Sequence, residues 1–457
     1  MRSFFNHLTA AQKLCLSFII VIILGSSLLS LPIFHLPSAP QTSYLDHLFT
    51  VISMVCVTGL SVFPISEVYN HAGLTLSMLL IQIGGLGLVT LIAFSYYTLR
   101  RKLSLSDLGV LQNSLSRESS RHLNRFLFSV YKFTFFVEIA CACLLMIDFI
   151  PRFGLASGIF NSLFLAVSAF CNAGFDNLGS SSLISFQTNP IVNLTIAFLI
   201  IAGGLGFANW IDIVHRLKDY VKNKPKNLSL VLRKLKIQTR LVLLATAILL
   251  TGGTIITWLI ERHNPNTIGN LHLFQQGLVS FFQTVTMRTA GFATIDYSQA
   301  HSATNFIFII QMIIGGAPGG TAGGIKLACA ALIVLLFRSE FRGDKQVTFA
   351  NRSIPKSIIR QMLTILVFFF TVFIMGYFFL LLAEPELSPF ALLFETASAL
   401  ATVGVSMNIT PQLSFFGRVI IMLLMFIGRV GPLTVLLSLS QKQKTPITYP
   451  KADITLG

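Results

Sequence analysis

The chain alternates long apolar runs with short polar stretches, and the run lengths decide the first reading. About 20 apolar residues cross a bilayer as a helix. Eight runs reach that scale, over residues 14–31, 72–98, 124–149, 190–214, 237–260, 303–336, 358–382 and 414–439. Between them lie four shorter apolar stretches, each closing on polar residues and a glycine: YLDHLFTVISMVCVTGLS (44–61), GIFNSLFLAVSAFCNAGFDN (158–177), LHLFQQGLVSFFQTVTMRTAGFAT (271–294) and SPFALLFETASALATVGVS (388–406). They are too short to cross, so the pattern predicts re-entrant half-helices.

Aligned on their last shared glycine, the four stretches give VTGL, NAGF, TAGF and TVGV. Gly59, Gly174, Gly291 and Gly404 are separated by 115, 117 and 113 residues. A second glycine landmark follows each: GGLG (84–87), GGLG (203–206), GGAPGG (315–320) and GRVG (428–431). An even internal period marks tandem units, here 1–100, 101–220, 221–345 and 346–457. The expected fold is an all-α polytopic membrane protein of four helix–pore-loop–helix repeats, pseudo-fourfold about a central pore. It has eight spanning helices and four re-entrant half-helices. Non-helical backbone at membrane depth is tolerated only where protein or water surrounds it, and the central axis is where four such loops meet.

That arrangement suits a cation. Four helix C-termini each direct about half a negative charge at the axis, and extended backbone can offer rings of carbonyl oxygens in place of a hydration shell. Glycine supplies backbone angles that a side chain penalises. The candidate cation site is therefore Val57, Thr58 and Gly59; Asn172, Ala173 and Gly174; Thr289, Ala290 and Gly291; and Thr402, Val403 and Gly404.

Composition agrees: 54% of residues are hydrophobic and 11% charged, against about 25% charged in soluble domains. The net charge of +16 first suggests nucleic acid, but its placement excludes that. Arg and Lys gather at 100–125, 216–240, 338–360 and in the C-terminal tail, while the alternate loops carry Asp46, Glu67, Asp176, Glu261, Asp296, Glu384 and Glu386. This positive-inside pattern puts both termini in the cytoplasm of a plasma-membrane protein, with anionic lipid as a secondary partner. The six cysteines have neither metal-ligand spacing nor a disulfide framework, and the N-terminus has no cleavable signal pattern.

GGAPGGTAGGIK (315–326) interrupts one apolar run. As a phosphate cradle it fails, because a Walker loop has glycine before its lysine and Ser/Thr after it; here Ile325 and Leu327 flank Lys326. Its glycines exceed what close helix packing requires and weaken a helix by about 1 kcal/mol each relative to alanine. Gly315, Gly316, Ala317, Pro318, Gly319, Gly320, Thr321, Ala322, Gly323, Gly324 and Lys326 thus read as an unwound segment under the filter, cheap to rearrange and able to block ions. The sister landmarks read as continuous helix, leaving this as the one broken helix of four.

VCVTGL, FCNAGFD, RTAGFAT and ATVGVS, with GGAPGGTAGGIK and GRVGPLT, resemble the superfamily of Trk, Ktr and plant HKT potassium transporters over nearly the whole chain. The first repeat begins almost at the start, which favours the KtrB-type membrane subunit. The resemblance implies that the four glycines select K+ over sodium and that the third-repeat loop is an intramembrane gate. It also implies a homodimer with one pore per subunit, on a cytoplasmic ring of nucleotide-binding regulatory subunits (KtrA-like RCK subunits). Na+ enters only as a potential activator, and the chain itself binds no nucleotide. Pro318 and Val57 depart from the common pattern.

Intramembrane charges are functional candidates by default. Arg429 reads either as a positive barrier that anchors loop carbonyls or as a structural partner of Glu395. Lys326 either belongs to the gate or snorkels toward the cytoplasm. Arg288 reads as a brace behind the filter, Asp176 as a vestibule acid or a cap, and Glu138 as a partner of Lys132 or of a neighbouring polar group. Two rival classes remain: an alternating-access carrier, sodium-coupled or sodium-permeable, and a membrane enzyme, for which no nucleophile or metal set appears.

Overall fold

The computed structural model describes residues 10–87, 123–223 and 234–431. The expected span segments 88–98 and 432–439, most of the basic cluster at 100–125, and the C-terminal lysines lie outside these residues.

Among the described residues, three helices are each long and apolar enough to cross a bilayer: α5 (Leu123–Phe153), α9 (Ile237–Glu261) and α13 (Lys356–Ala383). Each is followed by a short helix, α6 (Leu155–Cys171), α10 (Leu273–Thr286) or α14 (Pro389–Leu400). The first such pair is α1 (Ala10–Leu29) and α2 (Tyr44–Cys56), with a single turn, α3 (Ile65–Val68), after it. A third member closes each group: α4 (His71–Leu86), α7 (Pro190–Gly204) leading into α8 (Phe207–Asn223), α11 (Ser302–Ile313), and α15 (Phe415–Val430). After α11 the chain unwinds and resumes as α12 (Leu327–Phe341). A two-residue hairpin, β1 (Thr348–Phe349) and β2 (Arg352–Ser353), turns through Ala350 and Asn351, both at positive φ, the geometry that matches strand twist.

Local chemistry sets the starts of these helices. Ser43 and Asp46 form a reciprocal capping box on α2, with Ser43 N donating to Asp46 Oδ2 at 2.9 Å. Asn70 caps α4 by accepting from Gly73 N, Asn189 caps α7 just before Pro190, and Ser414 caps α15. Each supplies an oxygen to otherwise orphaned first-turn N–H groups. Buried acids fasten one element to the next: Glu261 at the end of α9 accepts from His301 N (2.9 Å), and Glu384 after α13 accepts from Ser414 N (2.7 Å).

The short helices sit inside, and the third helix of each group packs on the short helix of the next. α4 lies against α6, α7 against α10, α11 against α14, and α15 returns to α2. Long Phe and Leu side chains on the outward faces of α5, α9 and α13 are exposed, as hydrocarbon-facing residues are.

The glycine landmarks correct one expectation. The run 190–214 is not one helix: α7 and α8 meet at 102° across Leu205 and Gly206. Gly206 has φ +82°, and the corresponding Gly87 and Gly431 have φ +81° and +90°. Such left-handed glycines end helices, so GGAPGGTAGGIK is not the one broken helix. The first glycine of each sister landmark serves a second purpose. Gly84, Gly203 and Gly428 lie so close to the carbonyls of Val55, Phe170 and Leu400 that a β-carbon at any of them would collide.

Candidate functional site

The C-terminal residues of the four short helices lead directly into the four glycine tetrapeptides. Val57, Asn172, Thr289 and Thr402 all take left-handed angles, with φ of 56°, 59°, 67° and 52°. Only asparagine among them tolerates this readily. The third residues, Gly59, Gly174, Gly291 and Gly404, are again at positive φ, 102°, 70°, 86° and 100°. Two residues of inverted handedness separated by one ordinary residue give all four segments the same irregular backbone.

The glycines meet in a closed ring. A β-carbon on Gly59 would lie 2.7 Å from Ala173 O and 3.2 Å from Gly404 Cα. One on Gly174 would lie 2.8 Å from Ala290 O, and one on Gly291 2.6 Å from Val403 O. On Gly404 it would collide with Thr58 O. Above the ring opens a cavity of about 410 Å³, lined by the four glycines and by Phe175, Asp176, Asp296 and Val405.

Several braces escaped the sequence reading. Gly59 N donates to Ser53 Oγ and Gly404 N to Ser398 Oγ, each at 3.0 Å. Both serines stand six residues before their glycine, and Ser168 keeps that spacing before Gly174. The signal was present in three of the four stretches. The third stretch has Val285 there instead. Its support comes from Thr286 Oγ1 donating to Phe292 O (2.7 Å) and from Gln283, which joins Thr294 and Tyr297.

The loop 315–326 lies against the inner side of the ring. Gly323 N donates to Thr289 Oγ1 (3.1 Å), and Thr321 Oγ1 to Phe170 O (3.0 Å). Ala317 N and Thr321 N donate to Gly204 O and Gly203 O, and Phe207 N to Gly319 O. The loop base is zipped by Gly315 N to Ile325 O and Ile325 N to Ile313 O. Rearranging it breaks a specific set of hydrogen bonds, so it is not the loosely held segment its composition suggested.

Arg429 of α15 donates to Thr321 O on the loop and to Gly84 O and Gly85 O on α4. It does not pair with Glu395, whose carboxylate accepts from Thr410 Oγ1. Lys326 does not snorkel: Nζ donates to Ala322 O at 2.7 Å, within the loop itself. Arg288 is 4% exposed, and its Nε and Nη2 have no hydrogen-bond partner among the described residues. Glu138 is held by Gln82, not by Lys132, which is exposed. Asp176 forms a tight turn with Leu178 N (3.1 Å), and burial raises its carboxyl to about 6.

A family model described as TrkH, a cation transport protein, matches residues 4–446. The chain belongs to the TrkH family. Among this TrkH-family chain's relatives is the potassium/sodium uptake protein NtpJ of Enterococcus hirae, 36% identical over 99% of this chain and 98% of that protein. Another is the Ktr system potassium uptake protein B of Bacillus subtilis, 35% identical over 98% and 97%. The crystal structure of the potassium transporter TrkH from Vibrio parahaemolyticus shares the fold, with a TM-score of 0.70 at 16% identity over 93% of this chain and 84% of that one. The TrkH-family chain is a multi-pass membrane cation transporter and not an enzyme.

Proposed function

We propose that this chain is the potassium-translocating membrane subunit of a Ktr-type uptake system, built as four helix–pore-loop–helix repeats about one central pore. The observation that carries this is the closed ring of four tetrapeptides, each with the same alternation of backbone handedness. In ordinary extended backbone, successive carbonyls point to opposite sides. Inverting alternate residues turns them to one side, and four such segments around an axis make stacked rings of oxygen that replace water around a bare cation. The four short helices aim their negative ends at the same place. Potassium is the proposed ion because the family's Ktr members are potassium uptake proteins and all four ring positions hold glycine.

The loop 315–326 is the proposed gate. It lies beneath the ring and is fixed there by Arg429. In this reading Arg429 also places a positive charge in the ion path. Both termini face the cytoplasm of the plasma membrane, the chain forms a homodimer, and a nucleotide-binding RCK-type ring is its regulatory partner. A sodium-permeable mode is the second reading, favoured by the potassium/sodium uptake protein among the relatives.

The test is Gly404→Ser in purified protein reconstituted in vesicles. Serine at φ +100° costs roughly 1–2 kcal/mol and displaces Thr58 O, so the preference for potassium over sodium should fall. An unchanged ratio refutes the assignment of the ring. Shortening the loop within 316–324 should raise flux, and unchanged flux refutes the gate.

A further inference from the structure

Glu138 lies within α5 and is 3% exposed, a buried carboxyl group that neither the ring nor the loop uses. Gln82 of α4 donates through Nε2 to both its oxygens, at 3.1 and 3.4 Å. The other end of that amide, Oε1, accepts from Cys171 Sγ at 3.4 Å. Cys171 is the last residue of α6 and immediately precedes Asn172 of the second tetrapeptide. Gln82 stands two residues before Gly84, and Gly84 O and Gly85 O receive Arg429. Gly85 lies flat on Cys171, where a β-carbon would collide with the sulfur. One amide therefore joins a buried acid, the root of a tetrapeptide and the dock of the arginine.

The orientation of that amide depends on a proton. An NH2 group directed at both oxygens matches an ionised carboxylate, which only accepts. A buried carboxylate with one neutral partner is poorly compensated for its lost hydration. Protonation gives Glu138 an O–H that needs an acceptor, and Gln82 offers one only if its amide turns through half a rotation. Turned, it presents NH2 to Cys171 in place of an acceptor, and the contact between Cys171 and the α4 turn changes.

Few charges compete nearby among the described residues. α6 contributes Cys171, α7 no titratable group, and α4 only His71 at its far end. On α5 itself, Tyr131 and Cys141 are within two turns, and Lys132 and Cys143 are exposed. α8, packed on Phe133 through Trp210, carries Asp212, which accepts from Lys236 N and Thr239 Oγ1. Arg429 reaches this region from α15 through Gly84 O and Gly85 O.

We infer that Glu138 is a proton-responsive positioning residue: ionised, it fixes the Gln82 amide and the α4 turn on which Arg429 docks, and protonated, it releases that turn so that the loop opens more readily. This rests on the reading of 315–326 as the gate. The experiment measures potassium flux at saturating potassium in vesicles buffered equally on both sides, between about pH 5 and pH 9. Wild-type maximal flux should rise about tenfold from the alkaline to the acid plateau, the shift that one charge-assisted hydrogen bond carries. Glu138→Gln should be flat at the acid level. Gln82→Leu, which removes the amide and leaves the acid, should be flat as well, and it decides the matter if Glu138→Gln is not monodisperse. A wild-type profile that is flat, or one that survives both substitutions, overturns the inference. If the loop-shortened protein gains flux in the same vesicles, that failure belongs to Glu138 alone. If it does not, the gate reading falls and this inference with it.

Discussion

Replacing Arg429 with methionine keeps most of the side chain's length and removes its donors. The arginine bridges α15 to Gly84 and Gly85 of α4 and reaches across to Thr321 of the loop. The bond to Thr321 is the one that must be lost when the loop leaves. A perturbation shifts an equilibrium by what differs between its two states, so a single hydrogen bond from a charged group is at stake, about 1.5–3 kcal/mol. At about 1.4 kcal/mol per decade, the closed-to-open ratio should fall roughly 10- to 150-fold. The assay is potassium uptake into vesicles by monodisperse protein, with no regulatory partner present. Basal flux should rise by at least about tenfold, and Arg429→Lys should be intermediate, because a single ammonium group cannot serve the same carbonyls in the same geometry. Flux equal to or below wild type in the methionine variant would refute the idea that this bond holds the loop closed.

Two further outcomes follow from the ring and its mouth. Ser53→Ala with Ser398→Ala removes the hydroxyls that accept from Gly59 N and Gly404 N; each loss should cost about 1 kcal/mol and widen sodium permeation, which bi-ionic flux ratios measure, whereas Val285→Ser should leave the ratio near wild type. Asp176 carries a carboxyl raised to about 6 by burial, so it is ionised at neutral pH and loses its charge as pH falls through 6. Apparent potassium affinity should weaken across that window and become pH-independent in Asp176→Asn. Because this acts on affinity, it is separable from any effect of Glu138 on maximal flux.

The positions that meet in the ring were legible because four glycines recur at an even period and each ends an apolar stretch too short to cross. What the period could not reveal was conformation. Val57, Thr289 and Thr402 are β-branched, residues for which left-handed angles are outliers, and their type in the sequence does not announce them; helix-end bonds such as Thr58 N to Ser53 O and Val403 N to Ser398 O accompany them. The landmark glycines were misread for a related reason. A glycine that ends a helix and one that admits a neighbouring backbone look alike in sequence, and GGLG contains both kinds: Gly203 admits Phe170 O while Gly206 turns the chain. The partners of the buried charges were the least legible. Gln82 and Glu138 are 56 residues apart, and Arg429 reaches carbonyls, which every residue has and no sequence marks.

The closed ring bears on how the protein is made. Gly59 is seated against Ala173 on one side and Gly404 on the other, so the first tetrapeptide synthesised is completed by the last. Val57 is capped within its own repeat by Met54 O and Ser53 O, but the ring around Gly59 cannot close until the final quarter of the chain has left the ribosome and inserted. Closure of the ring is therefore the last step of biogenesis. A truncated or still-growing chain contains no proposed ion path at all, and unfinished copies cannot discharge the membrane they are entering.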